Sequence, residues 1–91
     1  MGIFYKRIRD MREDNDKTQQ DIANIINVGL TTYRRWETGE RTIPTNYVVI
    51  LALYYKVSTD YLLGLTNDPK PPKAIKNQVN INGGKNKINM N

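Results

Sequence analysis

The stretch from Thr18 to Gly39, TQQDIANIINVGLTTYRRWETG, most constrains the fold, because its pattern predicts two short helices joined by a tight turn. Thr18 lies three residues before Asp21, which is the spacing of a capping box at a helix start. Asn27 tolerates the left-handed backbone that ends the first of these helices, and Gly39 ends the second. The stretch therefore predicts a helical hairpin whose second helix runs over about 30–38.

Three further helices complete the predicted domain. Apolar residues at helical spacing predict a first helix over about 3–14. The run NYVVILALYYKV, entered through Pro44, is apolar on most sides and predicts a fourth helix at the centre of the core. A hydroxyl cap at 58 or 59 begins a short fifth helix, TDYLL. The expected fold class is all-α, with five short helices over residues 1–65.

Side chains at helical spacing predict which faces turn inward. Ile22, Ala23 and Ile26 face the core from the second helix, and Tyr33 and Trp36 face it from the third. The indole of Trp36 is therefore expected to pack in the core rather than to stack on a base.

The absence of cysteine and histidine narrows the function classes. It excludes disulfides and the common zinc sites, and it removes the usual general base and the strongest nucleophile. We expect no enzyme activity, no metal and no cofactor. No apolar run approaches the ~20 residues that span a bilayer, and early charges in MGIFYKRIRDMRE argue against a signal peptide. The expected location is the cytoplasm, without membrane contact.

The net charge of +5 is unevenly distributed. Residues 1–64 carry nine Lys or Arg against eight Asp or Glu, whereas residues 65–91 carry five Lys against one Asp. The excess therefore lies mostly in the tail, and bulk charge says little about the partner of the folded part. Only the positions of individual basic residues can indicate that partner.

The tail divides into two segments. Residues 66–77, TNDPKPPKAIKN, are rich in proline and lysine and predict an extended linker. In residues 78–91, pairing two strands around the central glycines would place four apolar residues on one face of a β-hairpin: Val79, Ile81, Ile88 and Met90. An Asn-rich disordered tail is the alternative. If the hairpin forms, a second copy of the chain is the expected partner of its apolar face, which makes these residues candidates for dimerisation.

The outer face of the third helix carries short polar and guanidinium side chains. Thr31, Thr32, Arg34 and Arg35 suit the base edges and phosphates of a DNA major groove. Arg34 is better placed for phosphate than for a base edge. Five side chains are candidate phosphate contacts, because such contacts need only donors in register: Thr32, Arg34, Arg41, Thr42 and Thr45.

Four motifs together give a family resemblance over about residues 3–64. They are IRDMR in the first helix, TQQDIA at the start of the second, NVGLTTYRRWETGER around the third, and LALYYKVSTDYLLG. The chain resembles the Cro and lambda-repressor-like (Xre) family of bacterial and phage DNA-binding domains. The resemblance implies a compact five-helix helix-turn-helix fold that binds double-stranded DNA.

The resemblance also implies roles for individual residues. Leu30, Thr31 and Arg35 match positions that face base edges in the major groove. Gln19 matches a position that contacts the phosphate backbone and braces the recognition helix. Glu37 matches a carboxylate that pairs with an arginine at the position of Arg12, and the pair would hold the recognition helix, together with Trp36.

Three positions depart from the family pattern. Gly29 stands where Ser or Thr usually caps the recognition helix, and Asn27 replaces a more usual Gly in the turn. Tyr33 replaces a smaller aliphatic residue, so its hydroxyl is expected to point towards solvent or a phosphate.

The leading functional prediction is a transcriptional regulator, a repressor that binds a two-fold operator as a homodimer, with half-site centres about 34 Å apart. An inducing signal is expected to come from a separate protein or peptide. One alternative is the antitoxin of a toxin–antitoxin pair, with the tail on the toxin. The other is a protein-interaction module on the same fold.

Overall fold

The computed structural model describes residues 2–71, which contain five helices and no strand. The helices are α1 (Lys6–Asp14), α2 (Gln19–Ile25), α3 (Leu30–Thr38), α4 (Thr45–Tyr55) and α5 (Thr59–Leu62). This confirms the all-α prediction. The predicted hairpin with Val79, Ile81, Ile88 and Met90, and the linker beyond residue 71, lie outside the described residues.

Helix α2 begins with the capping box that the sequence predicts. The Asp21 amide donates to the Thr18 hydroxyl at 3.0 Å, and the Thr18 amide donates to the Asp21 carboxylate at 2.9 Å. The backbone hydrogen bond from Thr18 lowers the pKa of Asp21. Two otherwise unpaired amides are thereby satisfied, so the start of α2 is fixed by its own local sequence.

The two turns that frame α3 use left-handed backbone. Asn27 has φ +62°, and the next amide, of Val28, donates to the carbonyl of Ala23 at 2.9 Å. Gly39 ends α3 with φ +82°, and a Cβ at this position would lie 2.9 Å from the Cβ of Phe4. A side chain at 39 is therefore excluded by both the backbone conformation and the lack of space.

Helix α1 begins at Lys6, and the prediction that it starts near residue 3 is wrong. The amide of Gly2 donates to the carbonyl of Gly39 at 3.0 Å, and the amide of Ile3 donates to the Thr42 hydroxyl at 2.8 Å. These hydrogen bonds hold the first residues in an extended segment against the α3–α4 loop. Phe4, which falls within the predicted bounds of 3–14, precedes α1 and is half exposed.

The prediction that α4 is the central core helix is correct for one side only. Val48, Leu51, Ala52 and Tyr55 are buried, whereas the opposite side of the helix is exposed. Periodicity could not reveal this, because α4 is apolar on both sides and five short helices cover only one of them.

The core lies between the helices, and the inward faces of α2 and α3 are those predicted. Ile22 and Ala23 on α2 and Ile26 at its end are buried. Trp36 on α3 packs against Tyr47 of α4, with ring centroids 4.9 Å apart and ring planes tilted by 40°. Tyr33 is completely buried. None of the five described helices is long and apolar enough to cross a membrane.

Arg7 holds the segment that follows α5. Its guanidinium donates to the carbonyls of Tyr61 and Thr66 and, at 2.6 Å, to the side-chain oxygen of Asn67. It also lies over the Tyr61 ring, 4.1 Å from the centroid. The segment after α5 is thus tied back onto α1, which is more than its linker composition predicts.

Candidate nucleic-acid interface

A buried ion pair connects α1 to the recognition helix α3. Arg12 donates to both carboxylate oxygens of Glu37, from Nε at 2.8 Å and from Nη2 at 2.9 Å. The Glu37 side chain is 2% exposed and that of Arg12 is 12% exposed. Arg12 also donates to the carbonyl of Lys17 at 2.8 Å, just before α2. One guanidinium therefore fixes the start of the helix-turn-helix and the last turn of α3 together.

The pKa values of Glu37 and Arg12 are both shifted in the direction that favours the charged pair. Burial by itself would raise the pKa of Glu37, but hydrogen bonding by Arg12, Tyr33 and Gln19 outweighs it and lowers the pKa. The hydrogen bond to Glu37 in turn raises the pKa of Arg12. Both groups are held in their charged forms.

Gln19 extends the pair to the surface of α3. Its Nε2 donates to Oε1 of Glu37 at 3.1 Å, and its Oε1 accepts from Nε of Arg34 at 3.4 Å. The buried carboxylate therefore orients Gln19, and Gln19 in turn orients Arg34. The structure places Arg12, Glu37, Gln19 and Arg34 in one continuous chain of hydrogen bonds, of which the family resemblance implied only the first pair and a bracing role for Gln19.

The outward face of α3 is polar and basic. Thr31, Thr32, Arg34 and Arg35 are exposed, and Leu30 is partly exposed at the start of the helix. Nε of Arg35 lies 3.6 Å from the Glu40 carboxylate, which is a surface pair between exposed side chains. This contact, which the sequence did not predict, is made through Nε, one of the three guanidinium nitrogens of Arg35.

The remaining candidates lie in the loop between α3 and α4 and at the first residue of α4. Arg41, Thr42 and Thr45 are exposed. The amide of Arg41 donates to the carbonyl of Arg35 at 3.1 Å, which ties the loop to the recognition helix. The Thr42 hydroxyl accepts from the amide of Ile3, so its own proton remains available to a further acceptor.

The predicted outward position of the Tyr33 hydroxyl is wrong. This oxygen is buried, makes no well-aligned hydrogen bond, and lies close enough to Glu37 to help lower the pKa of that carboxyl. Burial raises the pKa of Tyr33 itself. The hydroxyl of Tyr55 is also buried and unpaired. The ring of Tyr33 fills the space between the helices, so the hydroxyl follows the ring inward towards the ion pair.

Comparison with known proteins agrees with this geometry. Residues 8–62 match the helix-turn-helix family model HTH_3. The chain is 36% identical over 75 residues to the HTH-type transcriptional regulator YobD of Bacillus subtilis, a stretch covering 82% of this chain and 67% of YobD. No solved structure matches the chain.

Two further relatives are regulators matched over shorter stretches. The cryptic phage CTXphi transcriptional repressor RstR of Vibrio cholerae is 38% identical over 55 residues, covering 60% of this chain and 50% of RstR. The HTH-type transcriptional regulator ImmR of Bacillus subtilis is 36% identical over 59 residues, which cover 65% of this chain and 46% of ImmR. The matched stretch thus spans about half the length of these two relatives. The chain belongs to the Xre/Cro-like helix-turn-helix family, which includes DNA-binding transcriptional regulators.

Proposed function

We propose that the chain is a repressor that binds a two-fold symmetric operator as a homodimer, with α3 in the major groove. The observation that carries this proposal is the hydrogen-bonded chain from Arg12 through Glu37 and Gln19 to Arg34, because it fixes the exposed basic face of α3 on the domain. A pre-organised donor surface binds an acceptor-rich ligand with less loss of side-chain entropy. The relative RstR, a transcriptional repressor, supports repression as the outcome.

Base contacts are assigned to Leu30, Thr31 and Arg35. Arg35 presents its terminal nitrogens to guanine O6 and N7, and the methyl group of Thr31 packs on a thymine methyl. Leu30, partly exposed at the start of the helix, adds an apolar contact.

Phosphate contacts are assigned around these base contacts, to Gln19, Thr32, Arg34, Arg41, Thr42 and Thr45. Arg34 uses only Nε on Gln19, so its terminal nitrogens are available to a phosphate. Gln19 uses one amide hydrogen on Glu37 and keeps the other. Such contacts set the register of the domain on the duplex without reading sequence.

Selection of bound duplexes from random sequence tests the function. We expect one enriched site with two-fold symmetry and half-site centres about 34 Å apart, one helical turn. Affinity for that site should fall steeply as salt rises, because phosphate contacts release counterions. If no sequence is enriched and the affinity for DNA does not change with salt concentration, the proposal is contradicted and a protein-interaction module on this fold is favoured.

Gln19→Ala tests the bracing role. We expect operator affinity to fall about three- to tenfold, because Arg34 loses its orienting acceptor and one phosphate donor disappears. The matched control is Gln20→Ala, since the side chain of Gln20 bonds Asn24 within α2 and contacts neither Glu37 nor Arg34. Fluorescence anisotropy on the selected duplex measures both variants, and equal losses would argue against a specific role for Gln19.

A further inference from the structure

The outward side of α4 carries four of the eight large apolar side chains that are exposed within residues 2–71. Among these four, Leu53 is 68% exposed. Their spacing of one and four residues puts them on a single stripe, opposite the buried side of the same helix. We call this surface the α4 stripe: Val49, Ile50, Leu53 and Tyr54.

The α4 stripe carries no charge. Helix α4 is the one helix in the described part of the chain without an Asp, Glu, Lys or Arg. A two-fold interface brings residues near the axis against their own copies, so a charge there would meet a like charge. An uncharged apolar stripe therefore suits a second copy of the same chain. It does not suit DNA, because phosphates are bound by hydrogen-bond donors and positive charge.

The chain leaves the described domain next to this helix. The amide of Ser58, three residues after the end of α4, donates to the carbonyl of Pro69 at 3.0 Å. The carbonyl of Pro69, two residues before the last described residue, therefore lies close to the C-terminal end of α4.

We propose that the α4 stripe packs against the α4 stripe of a second copy about a two-fold axis. The proposal rests on the homodimer of the proposed function and names its surface. Contiguous apolar surface on one exposed helix face is the kind of surface that marks an interaction site.

Leu53→Glu in the full chain tests the surface by sedimentation velocity without DNA. We expect the dissociation constant of the dimer to rise about tenfold or more, because two carboxylates enter an apolar contact. Leu65→Glu is the matched control: Leu65 is 73% exposed, and its segment follows α5 rather than lying on the stripe. Circular dichroism should show both variants folded, since neither side chain is in the core. A dimer as tight as the original in Leu53→Glu would overturn the proposal.

Cross-linking gives a second, independent measurement. The chain has no cysteine, so Leu53→Cys provides a single reactive thiol. The α4 stripe is only about 7.5 Å long at 1.5 Å per residue, so two copies of residue 53 lie near each other wherever the axis crosses it. A short bis-maleimide should give a covalent dimer with Leu53→Cys and not with Leu65→Cys. No cross-linked dimer with Leu53→Cys at concentrations where the chain is dimeric would overturn the proposal.

A variant in the tail distinguishes failure of the α4 stripe as the dimer contact from failure of the homodimer itself. If Ile81→Asp with Ile88→Asp dissociates the dimer and Leu53→Glu does not, the α4 stripe is not the contact and the homodimer stands. If the unmodified chain is monomeric on its operator, the homodimer and the α4 stripe both fail, while DNA binding by α3 is tested separately by the selection.

Discussion

Glu37→Gln should lower the free energy of unfolding by about 3–5 kcal/mol, the loss typical of breaking a buried ion pair on one side. The amide is nearly isosteric, but it leaves the guanidinium of Arg12, 12% exposed, without its buried counter-charge and turns an amide donor towards it. Within residues 2–71, only the exposed carboxylate of Glu13, 3.8 Å from Nη2 of Arg12, then remains as a charged partner. A domain this small has roughly 5–15 kcal/mol of stability in total, so the loss is a large fraction of it. Urea unfolding followed by circular dichroism measures the change.

A surface pair provides the control. Lys6 and Asp10 are 2.9 Å apart on α1, with side chains 70% and 33% exposed. Asp10→Asn should therefore cost less than about 1 kcal/mol, because water already solvates both charges. If Glu37→Gln cost no more than Asp10→Asn, the view that Glu37 and Arg12 hold α3 in place would be wrong.

The same pair predicts a pH dependence. The pKa of Glu37 in the folded chain lies below its ordinary value of 4.5. Its contribution to stability is therefore complete above that value and is lost as the pH falls through the lower, folded pKa. The difference in unfolding free energy between the original chain and Glu37→Gln should shrink as the pH is lowered below about 4.5. A difference that stays constant would contradict the lowered pKa.

Much of the fold was predictable because its boundaries depend on local chemistry. Thr18 and Asp21 cap α2 through their own side chains, and Asn27 and Gly39 adopt the left-handed backbone expected of them. As a result, the bounds predicted for α3 coincide with those in the structure. Such signals need no knowledge of the rest of the chain.

What the sequence could not predict depends on distant contacts. The start of α1 is displaced because the amides of Gly2 and Ile3 bond to residues about forty positions away. The exposed side of α4 reflects how few helices surround it. Arg12 with Glu37 followed from the family resemblance, but the link from Gln19 to Arg34 depends on side-chain conformations, which no periodicity encodes.

Arg35→Ala should weaken binding to the selected operator about ten- to hundredfold, the range of a lost bidentate contact to guanine. The exposed guanidinium stands on the outer face of α3 with its Nε 3.6 Å from the Glu40 carboxylate, and its terminal nitrogens are the donors that a contact to guanine would use. Because the contact reads a base, the variant should also lose its preference at one base pair in each half-site. Competition with operators substituted at each position measures that preference.

Two charge-matched variants separate base reading from general electrostatics. Lys70→Ala removes the same charge from an exposed position after α5, and we expect operator affinity to change little. Arg34→Ala should weaken binding to all sequences alike and reduce the salt slope by about one, because Arg34 is assigned to a phosphate. If Arg35→Ala left affinity and base preference unchanged, base reading by Arg35 would be wrong, although the fixed geometry of α3 could still present its neighbours to the groove.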